Sequence, residues 1–221
     1  EIPNAESLNP SGDFTLALWF MPTLRGGGWR TLAAKWSRDN LCYGLFFGGE
    51  QFITAAVSHD GKTACWATAR EFAHIGGWQF VAFTYAVETG EICLFQRLGD
   101  TTGAVETRSS HDPLVSAGKS VPPGPVFHGE SPILLGACED ADHPGMHWAH
   151  FTGKIGHPVL IDRALTRNEV WSLSQWDTLD ALGPMLGSWD LSEEVCGSRV
   201  VDVSGNENHG KAINAPGRAV T

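Results

Sequence analysis

Apolar and aromatic residues recur along this chain in short bursts, set apart by Gly, Pro, Asp, Asn and Ser, and that rhythm predicts strands and turns throughout. From Asp13 to Pro22 (DFTLALWFMP), Phe14, Leu16, Leu18 and Phe20 alternate with Thr15, Ala17 and Trp19. Trp29–Trp36 and Cys42–Phe47 read as two further strands around a polar turn at Ser37–Asn40, after a flexible loop at Gly26-Gly27-Gly28. Gln51–Ser58 and Thr63–Thr68 flank Asp60-Gly61, an Asp-Gly hairpin signal. Trp78–Gln96 (WQFVAFTYAVETGEICLFQ) reads as the central hairpin, with Gly90 free to take positive φ in its turn. Its first arm is apolar on both faces, Trp78, Phe80 and Ala82 on one and Val81, Phe83 and Tyr85 on the other, so it is expected in the interior of a sheet covered on both sides.

Beyond the hairpin the pattern changes. Gly99–Ser131 holds four Pro and five Gly and few large apolar residues, which predicts a long surface excursion. Strands return at Ile133–Ala137 and Phe151–Ile161, with a polar, acidic loop at Cys138–His147 between them. Thr166 followed by Glu169, with Val170 and Leu173 on one face, predicts one short capped helix. GSWDLS (187–192), Arg199–Val203 and Lys211–Asn214 read as closing strands around the turn Ser204–Gly210. The expected fold is an all-β, two-sheet antiparallel sandwich with one short helix.

Composition narrows the classes of partner. A net charge of −10 from 15 basic and 25 acidic residues does not supply the basic footprint of a nucleic-acid or anionic-membrane binder. No apolar run approaches the ~20 residues of a membrane span. Cys42, Cys65, Cys93, Cys138 and Cys196 are odd in number and widely spaced, without a CxxC pair, which points to free thiols and a cytoplasmic setting. The start at Glu1-Ile2-Pro3, without Met, leads to the expectation that the chain is a piece of something larger.

Three stretches resemble the laminin-G-like, concanavalin A-like jelly-roll family: DFTLALWFMPT, the Trp78–Gln96 hairpin, and HFTGKIGHPVLIDRALTRNEVWSL. The resemblance covers about residues 1 to 175, leaving 176–185 as a linker and 186–221 as strands that complete or follow the sandwich. The family includes lectins, glycosidases, adhesion modules and spacers, so it implies a jelly roll without fixing a ligand. GSWDL, VVDVSGNENHG and APGRAVT also resemble the region that follows the jelly-roll insert in the large subunit of the N,N-dimethylformamidase family, iron-dependent amidohydrolases. That family's metal-binding tyrosines and glutamate have no matching motif here, and none is carried over.

Three groups of residues are candidates for binding. Asp202, Asn206 and Asn208 around Gly205 offer oxygen ligands to calcium, against a Ser-Gly-Asn turn capping its own backbone. In the acidic, His-rich loop of Glu139, Asp140, Asp142, His143, His147 and His150, His143 and His147 could bind a transition metal with a carboxylate if the loop were helical, but Pro144 and Gly145 argue for a solvated loop, with His150 a packing or hydrogen-bonding histidine. Nine tryptophans suggest sugar stacking, with Trp29, Trp36, Trp66 and Trp148 placed near loops and the strand residues Trp19, Trp78 and Trp189 assigned to the core. Glu88 and Glu91 flank a turn and Glu193 and Glu194 are adjacent, so neither pair forms the strand-borne couple of a retaining glycosidase. The expected role is a non-catalytic recognition or assembly domain of a larger, dimethylformamidase-like hydrolase, contacting other domains or subunits. The alternative is a lectin-like carbohydrate-binding module, calcium-assisted.

Overall fold

The computed structural model describes residues 1–24, 28–37, 40–48, 51–98, 114–140, 142–143, 146–175, 182–214 and 216–218. The strands are β1 (Phe14–Pro22), β2 (Arg30–Ser37), β3 (Asn40–Phe47), β4 (Phe52–Ser58), β5 (Ala64–Phe72), β6 (Gln79–Ala86), β7 (Glu91–Leu98), β8 (Leu114–Ser120), β9 (Ile133–Leu135), β10 (Cys138–Glu139), β11 (His147–Trp148) and β12 (Gly153–Ile161). After the helix α1 (Arg167–Leu173) come β13 (Met185–Asp190), β14 (Arg199–Asp202) and β15 (Gly210–Lys211). Among the described residues they form an antiparallel eight-stranded sheet, β15-β14-β13-β12-β1-β6-β7-β8, a five-stranded sheet, β5-β4-β3-β2-β9, and the small β10-β11 ribbon.

Alternation along each strand decides what lies between the sheets. Phe14, Leu16, Leu18 and Phe20 of β1 and Val81, Phe83 and Tyr85 of β6 face Tyr43, Leu45 and Phe47 of β3 in one buried core. The other face of the large sheet carries Ala17, Trp19, Phe80, Ala82 and Phe95, which α1 and its flanks cover with Leu165, Val170 and Leu173. This is why the β6 arm is apolar on both sides. The β6-β7 turn follows the expected chemistry: Gly90 has φ 66°, and a Cβ there would run into the Val121 carbonyl. α1 carries the capping box, Thr166 Oγ1 accepting from Glu169 N and Glu169 reaching back to Thr166 N.

β12 tolerates Gly156 and Pro158 inside the sheet because its register against β1 shifts there. Ala17 pairs with Val159 and Trp19 with Gly156, so two residues on β12 stand against Leu18 alone. This bulge needs no ladder N–H from Pro158.

Two expectations are corrected. Within the predicted excursion, Leu114–Ser120 is a strand paired along β7, and Val121 and Val126 are buried in the core. Gly and small polar residues obscured the strand by masking its alternation. The predicted Cys138–His147 loop holds the β10-β11 pair, whose two-residue strands are too short to carry a pattern. Residues 99–113 of the excursion, Gly26 and Gly27 of the glycine loop, 144–145, and 176–181 of the predicted linker lie outside the described residues. β13, β14 and β15 extend the large sheet outward from β12. On its far side the first two residues span both sheets: Lys211 N donates to Glu1 O and Ile2 N to Ile133 O, with Ile133 N returning to Ile2 O.

Candidate functional site

Among the described residues, no helix covers the outer face of the small sheet. Alternation points Trp36, Phe46, Ala56 and Trp66 outward from β2, β3, β4 and β5, while Tyr43, Leu45, Val57 and Ala67 point into the core. Phe46 is the centre of this face. Its ring lies over Gly44, where a Cβ would stand 2.9 Å from the ring and 2.7 Å from Ala34 Cβ, so the close approach depends on glycine. Three indoles surround Phe46, at centroid distances of 5.4 Å (Trp36), 5.6 Å (Trp66) and 6.1 Å (Trp29), all edge-on. Trp29 reaches across from the start of β2 to Trp66, 5.3 Å away at 46°.

Exposure divides the four predicted tryptophans. Trp29 and Trp148 are 48% and 51% exposed, whereas Trp36 is only 9% exposed and supports the others from beneath. Trp66 is half-buried. Trp148 belongs to the β10-β11 ribbon, its Nε1 donating to Glu139 O at 3.1 Å. That ribbon borders the patch, since Thr31 N donates to Ala149 O and Cys138 joins the same cluster. Met146, 61% exposed, lies in the ribbon's connection. The arrangement offers flat aromatic surface, with Trp29 and Trp148 reaching solvent.

The Asp202 turn is a knot of internal hydrogen bonds. Asp202 Oδ1 accepts from Ser188 N and Ser204 N, and Oδ2 accepts from Ser204 Oγ and Asn208 N, all at 2.9–3.0 Å. Asn206 Nδ2 donates to Met185 O at 2.6 Å, and Asn208 Nδ2 to Leu186 O at 2.8 Å and Ser7 Oγ at 3.0 Å. Asn208 O accepts from the buried Trp189 Nε1. The three predicted calcium ligands are therefore brought together, but both Asp202 oxygens accept from protein donors and Asn208 Oδ1 accepts from Ser7 Oγ at 3.2 Å. The acidic, His-bearing stretch is spread along the ribbon: His143 Nδ1 meets Asp140 Oδ2 at 3.3 Å, Glu139 pairs with His147 across the strands, and His150 Nε2 contacts His147 O. Among the described residues, no group of three or more His, Cys, Asp or Glu could hold a metal ion. Glu88 follows the end of β6 and Glu91 starts β7, while Glu193 and Glu194 lie in the β13-β14 loop.

Two features left no signal in the sequence. Lys35 is fully buried, its Nζ donating to Asn4 Oδ1, Gly129 O and Ser131 O at 2.6–2.7 Å. Burial pulls its pKa down, partly offset by Cys42, Glu130 and Glu6. The other is the ring of backbone carbonyls around Arg218.

The fold defines the class. A family model of the concanavalin A-like lectin/glucanases superfamily, laminin-G type, matches residues 1–97. Solved structures share the jelly roll. A Bacteroides ovatus protein described as a candidate carbohydrate binding protein superposes with a TM-score of 0.62 over 95% of this chain and 53% of its own, at 16% identity. The CBM40 of Ruminococcus gnavus IT-sialidase, bound to alpha2,3 sialyllactose, gives 0.55 over 76% of this chain and 84% of its own, at 14% identity. At such identities the likeness is one of fold.

The chain is similar along its whole length to a particular enzyme subunit. It is 29% identical to the N,N-dimethylformamidase beta subunit of Paracoccus aminophilus over 236 residues, 100% of this chain and 30% of the relative. To that of an Alcaligenes species it is 27% identical over 229 residues, 97% of this chain and 29% of the relative. The chain thus spans about 30% of the length of these curated relatives.

Proposed function

We propose that this jelly roll is a non-catalytic recognition and assembly domain of a larger N,N-dimethylformamidase-like amidohydrolase, whose chemistry lies outside the chain. The observation that carries the reading is the asymmetry of the two outer faces. The large sheet is covered by α1, while the outer face of the small sheet leaves Trp29 half exposed beside the half-buried Trp66, and the adjoining ribbon exposes Trp148. Aromatic side chains of this kind anchor interfaces with other domains or subunits. Similarity to beta subunits several times longer than this chain supports the same reading. The free state of all five cysteines supports a reducing, cytoplasmic setting. The test is made in the full-length host enzyme: Trp29→Ala with Trp148→Ala is expected to weaken assembly while the jelly roll stays folded. Amide hydrolysis by this chain alone would overturn the reading.

A second reading is a lectin-like module that stacks a sugar face on Trp29. The half-exposed indole favours it, as do carbohydrate binders among the proteins of like fold. A glycan array with and without calcium separates the two: specific binding lost in Trp29→Ala supports the lectin, and a further loss on chelation would bring in the Asp202 turn.

A further inference from the structure

Arg218 lies in the segment after β15, and its guanidinium is surrounded by main-chain carbonyl oxygens from a single loop. Nε donates to Leu191 O at 3.0 Å, Nη1 faces Arg199 O at 2.7 Å, Glu194 O at 3.3 Å and Gly197 O at 3.4 Å, and Nη2 donates to Glu193 O. These acceptors extend from the end of β13 through the connection to the first residue of β14.

The loop is shaped to turn its carbonyls to one side. Glu194 adopts φ 48°, and Gly197 N closes the turn on Glu194 O at 2.8 Å. The Arg199 side chain braces the same turn through Glu194 Oε1 at 3.2 Å. A second strand of contact joins loop and tail, Ala212 N donating to Ser198 O at 2.6 Å. A guanidinium is planar, carries donors on three nitrogens around its rim and is weakly hydrated, so a ring of carbonyl dipoles replaces its water shell well. An ammonium, compact and strongly hydrated, suits such a ring poorly. Glu193 and Glu194 add negative charge to the loop that receives the cation.

We infer that the β13-β14 loop is a guanidinium-binding seat built from backbone carbonyls, with Arg218 as its resident ligand, latching the segment after β15 onto the rim of the eight-stranded sheet. The latch couples the loop's order to the path of the tail: when the guanidinium leaves, the loop loses the cation that holds its carbonyls together and the tail loses its anchor.

Hydrogen exchange on the full chain tests this. In Arg218→Ala, the Gly197 amide is expected to exchange at least about tenfold faster than in the parent, because local opening is no longer held shut. Amides of β6 should keep their protection and so report an intact fold. Methylguanidinium at low millimolar concentration, below any denaturing effect, should restore protection in Arg218→Ala by occupying the emptied seat, and Arg218→Lys should remain as fast as Arg218→Ala. Unchanged exchange in Arg218→Ala overturns the latch. Failure of methylguanidinium to restore protection, or full protection in Arg218→Lys, overturns the guanidinium seat.

Discussion

The indole of Trp29 stands 5.3 Å from that of Trp66, yet Trp29 keeps nearly half its surface in water. It is held in place without being buried, which separates its contribution to binding from its contribution to folding. Trp29→Ala is expected to cost about 1 kcal/mol of stability while weakening assembly of the host enzyme at least tenfold. Phe46→Ala, at the closed centre of the same cluster, should cost about 3–5 kcal/mol through the cavity it leaves. Urea unfolding of the isolated domain and sedimentation of the host enzyme measure the two effects. Equal destabilisation by both substitutions would make the face a packing surface only.

Asp202 is 5% exposed and its two carboxylate oxygens each accept two hydrogen bonds from protein donors. Replacing it with Asn puts an NH2 group where donors already converge, and a loss of about 2–3 kcal/mol is expected from denaturant unfolding. Calcium would have to displace these donors, so calcium added to the parent should leave its melting temperature unchanged. A calcium-dependent rise that disappears in Asp202→Asn would instead show the turn to be a cation site.

Lys35 is a buried ammonium paired only with neutral oxygens, drawn from Asn4, Gly129 and Ser131. Lys35→Met removes the charge but leaves three acceptors without a donor. The expected cost is about 3 kcal/mol or more, with faster exchange of the Ile2 and Ile133 amides that lie beside these segments. A neutral or stabilising Lys35→Met would mean that desolvation of the ammonium outweighs its three bonds.

Glu169 is held at a pKa of about 2 by the Arg163 hydrogen bond, with the Thr166 backbone and hydroxyl adding to it. Its folded value lies below its unfolded value, so its stabilisation is fully present above the ordinary glutamate range and is lost as pH falls towards 2. Allowing for its partial exposure, that contribution is about 1 kcal/mol. The stability gap between the parent and Glu169→Gln should be constant above pH ~5 and close below it. A gap that persists unchanged at the lowest pH would assign the effect to side-chain packing.

Strands with strong alternation were legible from the chain alone. β1, β3 and β6 carry large apolar residues on the buried face, and the capping box at Thr166 fixed α1. β8 was not legible, because Gly118 and Ser120 contribute too little apolar surface to mark a face and its order comes from pairing with β7. The aromatic face was half legible: tryptophans could be counted, but which of them stay exposed depends on strand register, which buries Trp36 and leaves Trp29 over Phe46. The Asp202 motif was readable as a turn with oxygen-rich residues. The destinations of those oxygens, on Ser188 and Asn208, depend on β13 lying beside β14. Arg218 gave no signal because its partners are backbone atoms, which look the same in every sequence.

The strap formed by Glu1 and Ile2 bears on the order in which the molecule assembles. Glu1 O accepts from Lys211 N and Ile2 bonds with Ile133, so the first bond waits for β15 to be placed and the second for β9. Closing so long a loop early would be entropically unfavourable. The strap is therefore expected to close late in folding, and the side of the sandwich that it joins is the one expected to open first when the domain is pulled or heated.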